Sequence, residues 1–184
     1  MKKETIMGLF IAFIMISSMF AVVISQMSDS SKTKYNGKVF EYVDGRLYTE
    51  VNDQEIYFFN SPDTFNTSYI PDEFISTAQN TGMLYFTLDE DDTLINEIMA
   101  LGYDLSTNVF ATNNLYIQGG TTLNGTKDTI TCANATKNIP VIYVRENNNT
   151  QVTFENNCLI ANVQSNNDII KLRDGILYKY YNIK

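Results

Sequence analysis

The chain has 184 residues, with 13 Lys and Arg against 21 Asp and Glu, two cysteines and no histidine, for a formal net charge of −8. That acidity disfavours nucleic acid and anionic lipid as partners. Without histidine the commonest general base and metal ligand is missing, which excludes Ser/His and Cys/His mechanisms and a zinc hydrolase.

The run Ile6 to Ile24 carries no charge over 19 residues. As a helix it is long enough to cross about 30 Å of hydrocarbon, so it is read as a transmembrane anchor over 1–25. Lys2 and Lys3 precede it, while Gln26, Ser28, Asp29 and Ser30 follow. Cations at the short end favour a cytoplasmic N-terminus, although Lys32 and Lys34 stand close to the exit side. A cleaved signal peptide would have only Val23-Ile24-Ser25 as a poor cleavage site, and the run exceeds the usual signal-peptide core. A lipoprotein would need a cysteine after the run, and a prepilin leader a basic residue where Met7 precedes Gly8. The polar stretch Gln26 to Lys34 reads as a linker, leaving 35–184 as one extracytoplasmic domain. Removing residues 1 to 26 takes away Lys2, Lys3 and Glu4, so the remainder holds 11 basic and 20 acidic side chains, a net charge of −9.

From Val39 to Phe59 the chain is rich in β-branched and aromatic residues, and Asp44-Gly45 and Asn52-Asp53 punctuate it as turns, which predicts three antiparallel strands in a meander. Pro62 and Pro71 bracket a loop, and Asp72 to Gln79 follows as a short helix with Pro71 suited to its first position. Met83 to Leu88 reads as a buried strand. Beyond Asp89 to Asp92, residues Leu94, Ile95, Ile98, Met99 and Leu105 fall at helical spacing. Residues 111–131 are the least readable: a short strand at Leu115 to Gln118, then turns at Gly119-Gly120 and Asn124-Gly125. Pro140 to Val144, Gln151 to Phe154 and Cys158 to Val163 read as strands, the first two separated by the turn Asn147-Asn148-Asn149. Asp168 to Tyr181 closes the chain as a helix with Ile169, Leu172, Ile176 and Tyr180 on one face, although Gly175 costs about 1 kcal/mol against alanine. The expected fold class is α+β: an N-terminal transmembrane helix, then one mixed α/β domain with antiparallel strands and a C-terminal helix.

Cys132 and Cys158 stand too far apart for a redox CxxC or a zinc knuckle. A structural disulfide would stabilise the fold by about 3 to 4 kcal/mol on the chain-entropy account. Two buried free thiols in a reducing compartment are the alternative. Asp89, Asp91 and Asp92, with Glu90 among them, are weak candidates for a hard cation. The EF-hand pattern fails for want of a glycine at the sixth position, and a helix N-terminus favours the same acids. No Walker or dinucleotide glycine pattern occurs, so no cofactor is expected. Nothing singles out a catalytic pair of carboxylates. Glycosylation triplets at Asn66, Asn124, Asn134 and Asn148 are permitted sites, though a chain of this composition produces about three or four by chance. Tyr178, Tyr180 and Tyr181 could face a ligand, but aromatics in this pattern favour the core.

With its N-terminal apolar run, YNGKVFEYVDGRLYTEVNDQEIYFFNSP, ITCANATKNIPVIYV, NNCLIANV and the ending RDGILYKYYNIK, the chain resembles a family of small archaeal single-pass membrane proteins. The resemblance covers nearly the whole length and is most specific around Ile130 to Thr136 and Asn157-Cys158. It implies a family-wide Cys132 to Cys158 link and carries over no catalytic residue. The ending departs from the family, in which a glycine commonly stands near Asn182. The expected function is a membrane-anchored surface or envelope protein, binding or structural rather than enzymatic. Its partners would be the lipid bilayer through residues 6–24 and another envelope protein, with the C-terminal domain outside the cell. The alternatives are a membrane-bound hydrolase using carboxylates and a receptor-like ectodomain. The five residues ahead of Ile6 leave the latter no room for a signalling module.

Overall fold

A computed structural model describes residues 13–15, 31–123 and 129–184. The expected membrane span lies outside the described residues apart from Phe13 to Met15, which are helical. No helix among the described residues is long and apolar enough to cross a membrane.

The first sheet is an antiparallel meander of four strands in the order β1 (Ser31–Tyr35), β2 (Lys38–Val43), β3 (Arg46–Val51), β4 (Gln54–Phe58). It has one strand more than expected, because Ser31 to Lys34 belongs to β1 and not to a linker. The cause is the turn Asn36-Gly37, with φ of 46° and 80°. An Asn-Gly pair with both φ positive matches the twist of the flanking strands and fixes the hairpin. Its register sets Lys32 opposite Glu41, and their charged groups meet at 3.3 Å. The same positive-φ pair recurs at Asp44-Gly45, Asn52-Asp53 and Asn156-Asn157. Phe40, Leu47, Val51, Ile56 and Phe58 are buried.

The second sheet has the order β6-β5-β7-β9-β8: β5 (Met83–Leu88), β6 (Tyr116–Thr121), β7 (Val141–Glu146), β8 (Gln151–Glu155) and β9 (Cys158–Val163). All pairs are parallel except β8 with β9, which corrects the expectation of antiparallel strands here. The sequence carries the reason. MLYFTL is a nearly continuous apolar run, as a strand covered on both faces requires, and helix α2 (Ile95–Asn113) supplies the crossover from β5 to β6. β6 runs straight through Gly119-Gly120, which pair with Phe86 and Thr87 of β5 and do not turn.

Helix α1 (Asp72–Gln79), with Pro71 as its N-cap, α2 and α3 (Asn166–Tyr180) join the meander and the helix-facing side of the second sheet in one apolar cluster. α3 is capped by the Ser165 hydroxyl, which accepts the Asp168 N–H. The expected single apolar face is exceeded: every residue from Leu172 to Tyr178 is buried. Gly175 belongs to this packing, since a Cβ there would lie 2.7 Å from the Tyr69 hydroxyl oxygen. Tyr180 and Tyr181 are buried too, so the three C-terminal tyrosines are core.

The other face of the second sheet carries a small cluster of Ile130, Val141 and Cys158. Cys158 is bonded to Cys132, in a single 3₁₀ turn (Cys132–Asn134), with Cα atoms 5.4 Å apart. The bond ties the connection between β6 and β7 to the first residue of β9.

Candidate binding groove

Met99 is placed by its spacing on the apolar face of α2, yet it is 49% exposed, with Tyr103 one turn on at 77%. Both stand on the side of α2 that overlooks β6, the edge strand of the second sheet. Between them lies a groove of about 610 Å³, floored by Phe86, Leu88 and Ile117 and bounded by Met99, Tyr103 and Thr121. Two glycines shape it. At Gly102 a Cβ would sit 2.8 Å from the Phe86 ring, so α2 rides directly on β5 there. At Gly119 a Cβ would meet nothing within 4 Å, so the β6 wall is open. The Thr121 hydroxyl is buried and has no hydrogen-bond partner among the described residues. Among the described residues, Glu90 is the one charged residue lining the groove.

At the C-terminal ends of β5 and β7, beside the groove, stand the acids considered for a metal. Asp89 accepts the Tyr143 hydroxyl at 2.6 Å and the Thr122 hydroxyl. Asp92 accepts the Glu146 N–H at 2.8 Å, and Glu146 in turn accepts both the N–H and the hydroxyl of Thr93 at 2.7 Å. Those hydrogen bonds hold the Glu146 carboxyl below the usual range, whereas burial raises that of Asp92. Capping was the expected role of these side chains. Instead, the carboxylates of Asp89 and Asp92 clasp β7 to the loop after β5, and the first helical amide, of Ile95, bonds the main-chain oxygen of Asp92. Glu90 and Asp91 are exposed. Among the described residues no three acids or cysteines converge as metal ligands.

A second cavity, of about 340 Å³, lies between β4, α2 and α3 and contains two acids, Glu97 and Asp104. Two convergent acids are what a carboxylate hydrolase needs. Here Asp104 is committed on both oxygens, to the Tyr57 hydroxyl at 3.0 Å and to Arg173 Nε. Arg173 also donates to the Tyr57 carbonyl and to Asp174, both at 2.8 Å, and its guanidinium lies 4.2 Å from the Tyr57 ring centre. Asp174, fully buried, further accepts the N–H groups of Phe59 and Asn60 and the Asn60 side chain. Burial pushes the Asp174 carboxyl up, and Arg173 with the Asn60 donors pulls against it. This network fastens the meander to α2 and α3, and a base held by an arginine and a phenol is poorly placed to shuttle protons. A further concavity, of about 640 Å³ on the meander, is lined mostly by polar side chains such as Lys38, Glu41 and Glu50.

Of the glycosylation triplets, Asn66, Asn134 and Asn148 are exposed, and Asn124 lies outside the described residues. The Asn134 side chain already accepts the Thr131 N–H at 2.8 Å. The groove is not legible in the sequence because Met99 satisfies a helical period and Gly119-Gly120 satisfies a turn pattern, and the exposure of Tyr103 at the next turn is visible only in the fold. Compared with known proteins, the chain matches no family profile, no curated protein and no solved structure.

Proposed function

We propose that this protein is a membrane-anchored envelope component whose folded domain lies outside the cell membrane and binds another envelope protein through the groove between α2 and β6, without catalysis of its own. The observation that carries the reading is the groove itself. Apolar side chains exposed to 49% and 77% border a glycine-opened cleft, and large exposed apolar groups that line a cleft mark interaction sites. The uncharged run Ile6 to Ile24 supports an anchor, and Lys2 and Lys3 ahead of it support a cytoplasmic N-terminus. The Cys132–Cys158 bond suits an oxidising, external compartment. The resemblance to small archaeal single-pass membrane proteins points the same way.

Two measurements test it. A membrane-impermeant thiol reagent applied to intact cells should label the protein only after reduction; labelling without reductant, and only after permeabilisation, would place the domain inside. A photo-crosslinker at Met99 should give one discrete adduct in native membranes while the same group at Gln151, on the far edge strand, gives none. Equal adducts from both positions would remove the groove as the binding face.

A further inference from the structure

The groove is bounded on one side by an edge strand, and that edge has a defined polarity. The N–H of Tyr116 bonds Gly82 O at 3.1 Å and that of Thr122 bonds Leu88 O at 3.0 Å, so even-numbered residues of β6 face β5. The main-chain groups of Ile117, Gly119 and Thr121 therefore face outward. Thr121 is occupied by the Ile130 N–H at 2.8 Å through its bridge to Thr129. Ile117 and Gly119 have no strand partner on that side among the described residues.

We infer that the groove receives an extended segment of a partner polypeptide, added to β6 as a sixth strand through the outward N–H and C=O groups of Ile117 and Gly119, apolar where it enters the groove and cationic at its end toward Glu90. The inference rests on the reading of the groove as the binding face. Strand addition satisfies the edge amides, and alternate side chains of the added strand then point to the helix face, as Ile117 and Thr121 do. The residue beside Gly119 would find no Cβ in its way and would project between Met99 and the Phe86 floor. The Thr121 hydroxyl, buried without a partner among the described residues, offers one further polar contact at the end of the cleft.

The charge of the occupant follows from the sequence. No lysine or arginine stands between Arg46 and Lys127, a stretch that includes all of β5, α2 and β6. Among the described residues, the groove's charged lining is Glu90, in the run Asp89 to Asp92. A lysine- or arginine-bearing strand is therefore attracted. A second copy of this chain, at net charge −8, and an anionic lipid surface are repelled.

The test uses the full-length chain in neutral detergent and two capped nonapeptides. Each has alternating valine and threonine at its centre; one is flanked by two lysines at each end, the other by glutamates. Amide hydrogen exchange is read residue by residue. With the lysine peptide, protection of the Ile117 and Gly119 amides should rise about tenfold or more, and with the glutamate peptide it should not change. The half-exposed substitution Met99→Lys, or Ser106→Lys on the same rim should Met99→Lys unfold, should abolish the gain while leaving protection in β7 and β9 intact. Unchanged amides with both peptides, or equal protection by both, would overturn the inference. If the Met99 crosslink then still forms its discrete adduct, the groove stands as a binding face with another mode of docking; if neither appears, both readings fall.

Discussion

Phe58 at the end of the meander and Tyr178 in the buried last helix stack face to face, ring centres 4.1 Å apart and planes within 3° of parallel. Both are wholly buried, and the Tyr178 hydroxyl donates to the Asn60 carbonyl just past β4. This pair is the apolar fastening between a sheet made of local hairpins and the helical layer behind the second sheet. Phe58→Ala should cost about 3 to 5 kcal/mol of stability, as large-to-small changes in a closed core do. Tyr178→Phe, which keeps the ring and drops the hydroxyl, should cost about 1 kcal/mol by leaving the Asn60 carbonyl unpaired. Denaturant unfolding of both variants checks the order. Equal losses would show that the hydrogen bond and not the stack is the fastening.

The Cys132–Cys158 bond closes a loop across 26 positions. On the chain-entropy account, replacing both cysteines by serine should lower stability by about 3.5 kcal/mol. Because the 3₁₀ turn belongs to the small cluster of Ile130, Val141 and Cys158, apart from the main apolar cluster, the loss should be accompanied by faster exchange at Ile130 and Ala133 while the amides of β5 stay protected. Uniform loosening of the whole second sheet would contradict that local picture.

Local signals carried the hairpins and most strands. Asp44-Gly45 and Asn52-Asp53 marked their turns correctly, and Met83 to Leu88 is the strand its composition indicates. Asn36-Gly37 is as strong a signal as either turn, but the polar run before it, SKTKY, has neither face apolar and so reads as a linker. An exposed edge strand needs no apolar face, only a partner. Parallel pairing was out of reach for a different reason: β5, β6, β7 and β9 are joined by long connections, and nothing within a strand names its distant neighbour. The groove was hidden likewise, because whether Met99 is covered depends on which strand lies at the sheet edge.

Arg173 and Asp104 show what the ionic network is worth. Asp104→Asn should keep a hydrogen bond to Arg173 while removing the charge, and Asp104→Leu should remove both. Truncating one partner of a buried pair costs about 3 to 5 kcal/mol because it leaves an uncompensated charge. Arg173 is 4% exposed and sits against Tyr57, so the leucine variant should approach that loss and the asparagine variant should lie well below it. Thermal unfolding of the two variants separates charge from contact; if both lose the same, the carboxylate's charge is immaterial.

Tyrosines make the alkaline limit of the fold predictable. Burial and then its bond to Asp89 push Tyr143 up to about 12, and burial pushes Tyr181 up to about 12, from the ordinary 10.0. A group whose folded pKa is raised binds its proton more tightly when folded, so its contribution is fully present below the unfolded value and is lost as pH rises through the folded one. Stability should therefore be level up to about pH 10 and fall from there to about pH 12. Phenolate absorbance should show a subset of the twelve tyrosines ionising late, together with loss of structure. Asp89→Asn should shift the Tyr143 share of that transition to lower pH. Simple titration of all tyrosines near 10.0 with the fold intact would contradict the buried placement.

Gly175→Ala sets two effects of known sign against each other. Alanine in a helix interior is favoured over glycine by about 1 kcal/mol. The added Cβ would lie 2.7 Å from the Tyr69 hydroxyl oxygen and 3.0 Å from Ile70 Cγ1. The Tyr69 hydroxyl is itself anchored on the Lys171 carbonyl at 2.5 Å, and Ile70 is completely buried, so neither neighbour is the loose end of a mobile side chain. Overpacking of this kind costs about 1 to 3 kcal/mol and should win, giving a net destabilisation despite the gain in helix propensity. Pairing it with Tyr69→Phe, which removes the atom in closest contact, should recover part of the loss. A stabilised Gly175→Ala variant in equilibrium unfolding would mean that the loop from Phe65 to Ile70 yields without cost. The tight seat of α3 against it would then not be what makes glycine necessary there.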